Sequence, residues 1–230
     1  MNAINTEGIA EGLAKCFIYE ANRWIEKAAA RKADRYNSVF RAFLNLGCIK
    51  AILGDRFEEV RQELHKKAEE SIECTFCSES WVSDAERSGL KYGGRFQLPK
   101  KMGECSIHHG LVAGIVSLEF DNKLRYFEGS GWYVWRHDEG EWEERPKGRG
   151  IVGLIYEVMR QRIAVWREAI DAGIDVRGLA EWIEELESKI NDPAWLDRVE
   201  ELLRRVDYFG VEWISEDSPY RPRSKNRRKS

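Results

Sequence analysis

The feature that most limits how this chain can fold is a change in the period of its apolar residues. Up to residue 72 they recur at three- and four-residue steps, between 111 and 144 they alternate, and from about 150 to 206 the longer step returns. The longer step gathers side chains on one face of a helix, whereas alternation gathers them on one face of a strand. Helices before and after a block of strands predict an α+β fold: a helical N-terminal segment, a small antiparallel sheet and a C-terminal helical segment.

The first helix is expected over residues 6–31, with Ile9, Leu13, Phe17 and Ile25 on its buried face. A second is expected over 37–53. There Val39, Phe40, Phe43, Leu44, Gly47, Ala51 and Ile52 leave little polar face, as suits the middle of a bundle. Gly54 suits the left-handed residue that closes this helix, and Asp55 with Glu58 offers a reciprocal cap for the next one. That third helix carries the stripe Phe57, Val60, Leu64, Ala68 and Ile72 beneath a charged outer face.

After Ile72 the period stops. Residues 73–109 are rich in glycine, serine and cysteine, and so long a stretch without a packed element needs something to order it. Strands are then expected in "LVAGIVSLEF", "KLRYFE" and "WYVWRH", with "DEGEW" closing a hairpin across which Trp142 packs. A fourth helix runs from about 150 to 173. Asp175 can cap a fifth through Leu179 and Ile190, and Asp192 followed by Pro193 starts a sixth. "YFGVEWI" reads as a last strand. The organisation expected is a helical segment (1–73), a zinc-ordered connector (74–110), sheet plus helices (111–214) and a basic disordered tail (215–230).

The connector holds the clearest ligand pattern. Cys74, Cys77, Cys105 and His108 spell C-x2-C, twenty-seven residues, C-x2-H. Paired ligands three apart on a tight turn grip one side of a tetrahedral zinc, and a second pair completes the shell. Four protein ligands leave no open position, so the ion is expected to be structural and to cross-link this segment. His109 is the alternative fourth ligand. The competing reading is that the cysteines are small apolar residues and the histidines exposed turn residues. Cys16 and Cys48 fall within helical apolar faces, where core packing is expected.

Charge is distributed unevenly. The 230 residues carry a net charge of -3, yet residues 221–230 hold six cations and no acid, leaving -9 on the rest. The six are Arg221, Arg223, Lys225, Arg227, Arg228 and Lys229, an electrostatic handle for nucleic acid or a solvated terminus. Five cysteines, no basic-then-apolar leader and apolar runs far shorter than a membrane span predict a protein of the reducing cytoplasm.

Several chemistries lack their residues. There is no G-x-x-x-x-G-K-[ST] phosphate loop, and no serine elbow. A C-x2-C redox pair draws its reactivity from a helix start, whereas Cys74 follows a helix that is ending. A C-x2-C pair, Cys74 and Cys77, followed by paired histidines and then an asparagine resembles the opening of the His-Asn-His nucleases, which would use His108, His109 and Asn122. That family then needs further cysteines or a histidine; the one later histidine, His137, lies in an expected strand.

The strings "LRYFEGSGWYVWRHDEGEWEE", "GIVGLIYEVMRQRI" and "WLDRVEELLRRV" resemble the N-terminal domain of poxvirus-type primase-helicases of phages, plasmids and large DNA viruses. Tyr126, Gly131, Trp132, Trp135 and Trp142 match its aromatic hairpin; the superfamily-3 helicase module does not follow. The resemblance implies an accessory module of a replication system, without a motor. The expected function is therefore a non-catalytic nucleic-acid-associated protein of replication or of a mobile element. The alternative is a protein-interaction module, an immunity or adaptor protein that works through its acidic body.

Overall fold

The structure, a computed structural model, describes residues 6–30, 34–71, 80–99, 108–120, 123–127, 131–136, 140–145, 150–174, 176, 178–204 and 212–214. In chain order the helices are α1 (Thr6–Ala30), α2 (Arg35–Cys48), α3 (Lys50–Leu53), α4 (Phe57–Ser71), α5 (Ser80–Gly93), α6 (His109–Phe120), α7 (Val152–Asp171), α8 (Leu179–Ile190) and α9 (Pro193–Leu203). The strands are β1 (Leu124–Phe127), β2 (Gly131–Arg136), β3 (Glu141–Arg145) and β4 (Glu212–Ile214). These elements form two units, residues 1–107 with 161–187 and residues 108–160 with 188–230.

In the first unit α2 is the central helix, packed against both α1 and α5. Its apolar residues Val39, Phe43 and Leu46 are buried, and so are Ser38 and Asn45 on its other sides. The contact with α5 is a backbone contact. A Cβ on Gly89 would stand 2.4 Å from the Phe40 carbonyl oxygen, and one on Gly93 would stand 2.1 Å from that of Leu44. No side chain larger than hydrogen fits at either position.

Two expectations for this region need correction. Residues 73–109 are not free of packed structure, because 80–93 form α5. The segment reads poorly as a helix because Gly89 and Gly93 resemble breakers; the close approach to α2 is what requires them. The second helix is also not continuous to residue 53. It stops at Cys48, and α3 follows after Ile49. The Gln97 side chain spans the break, donating to the Gly47 carbonyl at 2.6 Å and accepting from the Ala51 N–H at 3.0 Å. The Leu98 N–H takes the Cys48 carbonyl at 2.8 Å. Groups freed by the break are thus satisfied from 50 residues away.

Gly54 has a positive φ (+54°), but with ψ at -124° it is not the left-handed residue expected, and the reciprocal cap does not form. Residues Gly54–Arg56 make a 3-10 turn, and Glu58 accepts instead from Arg61 and Gln62. Across the unit, Trp166 is fully buried, its ring 5.9 Å from Phe17 and 6.4 Å from Trp182.

In the second unit "LVAGIVSLEF" is helix, not strand: it forms most of α6. Every residue from Leu111 to Val116 is buried. Such a segment needs apolar residues all round and so carries no period that separates helix from strand. It packs on α9, which starts as expected, with the Asp192 carboxylate accepting from the Ala194 N–H at 3.0 Å and Pro193 in the first helical position.

The sheet order is β3-β2-β1-β4. The first three strands form an antiparallel meander, and the last stretch joins β1 in parallel, after the helical crossover that parallel pairing demands. Trp135 and Trp142 stand directly opposite each other with ring centroids 5.4 Å apart, the cross-hairpin contact anticipated above. Asp175, His137 and the Asp121–Asn122 turn lie outside the described residues.

The glycine contact makes a sharp expectation. Gly93→Ala should destabilise the protein by about 2 kcal/mol or more through backbone overlap. Gly153→Ala, exposed on α7 with nothing within 4 Å of its added Cβ, should cost nothing. Urea unfolding of the two variants checks this.

Candidate metal and nucleic-acid sites

Cys74, Cys77 and Cys105 lie outside the described residues, as do all six tail cations, Arg221, Arg223, Lys225, Arg227, Arg228 and Lys229. His108 is described. It is exposed just before α6, and its carbonyl accepts the Leu111 N–H at 2.9 Å, opening the helix.

His109, the first residue of α6, is placed differently. Its ring stacks on Trp195 of α9, with centroids 4.6 Å apart and planes 29° from parallel. Its Nε2 is buried and makes no hydrogen bond. Burial, then the positive charges of Arg198, His108 and Lys189, hold its pKa below the usual histidine value. The structure therefore gives the adjacent histidines separate roles: His109 packs between helices and His108 faces solvent. Among the described residues no three histidine, cysteine, aspartate or glutamate side chains gather as a metal site.

The aromatic hairpin is engaged in packing. Trp132 is buried, and its Nε1–H donates at 2.9 Å to Oε1 of Glu200, itself buried on α9. Arg204 Nη2 donates to the same oxygen at 2.5 Å while its guanidinium lies 5.3 Å from the Tyr126 ring centre. Tyr126 meets Trp132 edge to face at 5.1 Å. On the other face, Phe127, Tyr133 and Trp142 form a cluster, with Arg125 at 4.2 Å over the Trp142 ring. Trp132 is thus closed to stacking with a base.

Two polar groups inside the first unit were not legible in the sequence. Glu86 of α5 is nearly buried and pairs with both Arg61 and His65 of α4, so the outer face of α4 is only partly solvated. Without α5 in view, nothing marked these residues as partners. Deeper in, Arg162 of α7 is buried, with Nη2 at 3.4 Å from Glu20 Oε1 and donating to Asn45 Oδ1 at 3.2 Å. Removing one partner of such a pair strands a charge and costs about 3–5 kcal/mol.

Cys16 and Cys48 border this group. Burial, then the Glu20 carboxylate, pushes the Cys16 thiol up to about 12. Burial does the same to Cys48, also to about 12, with Arg162 opposing and Glu20 reinforcing. These are core thiols, as their helical positions implied, and at neutral pH they carry no nucleophilic thiolate.

A consequence is measurable. Iodoacetamide at pH 8 should leave Cys16 and Cys48 unmodified in the folded protein and alkylate both in denaturant, as read by peptide mass spectrometry. Because folding favours their protonated form, its contribution is complete below pH 9. It should fall as pH rises from 9 toward 12, since the unfolded thiols ionise first.

Compared with known protein families, with proteins of described function and with solved structures, the chain matches none.

Proposed function

We propose that this chain is a non-catalytic, nucleic-acid-associated accessory protein of a replication system or mobile element, acting in the cytoplasm. The observation that carries the reading is the charge distribution: six cations within residues 221–230 against a net -9 on all that precedes them. An acidic body is on balance repelled by phosphate, so the arm supplies most of the affinity, without reading sequence. The similarity of the aromatic hairpin to that of poxvirus-type primase-helicases supports a setting in replication. Its engagement in packing against α9 accords with a scaffold.

The same reading assigns one structural zinc to Cys74, Cys77, Cys105 and His108. A solvent-facing His108 at the start of α6 suits a ligand that closes such a site from one side. The second reading, a protein-interaction module working through its acidic surface, is favoured by that same net -9. Among the described residues no helix is long and apolar enough to cross a membrane.

Binding to duplex DNA should weaken with salt at a logarithmic slope of about -5 if six phosphates are neutralised, and about -4 on single strands. Replacing the six cations by serine in the full chain should remove most of that slope. An unchanged affinity would end the reading, and capture of a basic protein by the serine variant would favour the acidic-surface alternative.

Elemental analysis should find one zinc per chain. Cys105→Ala should lose it and lower the melting temperature; a fully folded, metal-free protein would refute the zinc assignment.

A further inference from the structure

Where α2 breaks at Ile49 and α5 ends at Gly93, the first unit has a cleft of about 440 Å³. Lys50, Lys91 and Arg95 line it together with Phe57 and Gln97, and among the described lining residues there is no carboxylate. In a body of net charge -9 a carboxylate-free cleft with three cations runs against the background.

Two of the cations lie over aromatic rings, and the nearby Glu58 carboxylate feels Lys50 without forming an ion pair with it. Lys50 Nζ lies 5.0 Å from the centre of the Phe57 ring, and the Arg95 guanidinium lies 4.3 Å from that of Tyr92. An aromatic face holds a cation through its quadrupole and leaves the charge in place. Most other cations of α1 and α4 are paired with acids, as Lys15 is with Glu11, Lys66 with Glu70 and Lys67 with Glu26. Lys50, Lys91 and Arg95 form no ion pair with a described residue.

The walls are also settled before any ligand arrives. Both ends of the Gln97 amide are engaged, by the Gly47 carbonyl and the Ala51 N–H, so it braces the cleft. Three of the last four carbonyls of α5 are taken by the chain itself: Leu90 by Gly94, Tyr92 by Arg95 and Gly93 by Phe96. Capping in this way leaves fewer bare acceptors at the helix end.

We infer that this cleft is a second nucleic-acid contact, which receives consecutive phosphates of a single strand on Lys50, Lys91 and Arg95. Its volume falls in the range that encloses a small ligand, here one or two nucleotides of an open strand. Phe57, half-buried at its edge, supplies the apolar surface that a splayed base needs. The inference rests on the nucleic-acid reading above but uses the folded body in place of the tail.

The test is fluorescence anisotropy with a labelled twelve-nucleotide oligothymidylate at low salt, on the full chain carrying serine at the six tail positions. Residual binding is expected. Adding Lys91→Glu and Arg95→Glu should weaken it about 100-fold, at roughly tenfold for each charge-assisted contact. Lys66→Gln, outside the cleft, should change it less than twofold, and thermal melts should show all variants folded. Absence of residual binding overturns the cleft assignment and leaves the tail reading standing. An equal loss from Lys66→Gln also overturns it, because the effect is then one of total charge. Binding of a free nucleoside triphosphate with no gain from the oligomer overturns the strand assignment. If the double-glutamate change weakens binding while the tail substitutions do not, the cleft stands and the tail reading falls.

Discussion

Gly89 and Gly93, one turn apart on α5, let its backbone rest against the carbonyl oxygens of Phe40 and Leu44 on α2. Much of the first unit depends on this approach. The distance at which the two helices meet determines where the chain beyond α5 passes. That passage brings Gln97 and Leu98 to the open end of α2, so the helix can stop at Cys48 without stranding its carbonyls. The stop in turn lets Lys50 and Phe57 lie opposite Lys91 and Arg95. A side chain at either glycine would therefore disturb the helix pair, the break and the cleft together.

In the second unit the corresponding anchor is a single buried carboxylate. Glu200 accepts from the Trp132 indole and from Arg204, and so ties the hairpin to α9. A buried acid is tolerable only when its oxygens find donors. Indole and guanidinium supply them without leaving the aromatic cluster. Trp132 thus has a packing role, whereas Tyr126, Trp135 and Trp142 remain partly exposed.

Charge is organised at two scales. Over the whole chain, an acidic body precedes a basic arm. Within the body, most described cations of the first unit answer nearby acids, whereas two of those around the α3–α5 cleft, Lys50 and Arg95, lie over aromatic rings. The total of -3 conveys neither arrangement, and a partner bearing phosphates senses both.

The elements legible in the sequence are those with one buried face. The stripes of α1, α4, α7, α8 and α9, the Asp192–Pro193 start and the Trp135–Trp142 pairing follow from local spacing and capping, which need no knowledge of a partner. The asymmetry of charge and the cysteine spacing are likewise properties of the string. The sequence made α6 read as a strand because burial on all sides erases the helical period, and it concealed α5 because its glycines answer the shape of α2. The break at Ile49, the separate roles of His108 and His109, the ionic group around Arg162 and the basic cleft arose only on folding. Each joins residues far apart in the chain, and such contacts depend on how close two backbones come, a distance that no local pattern encodes.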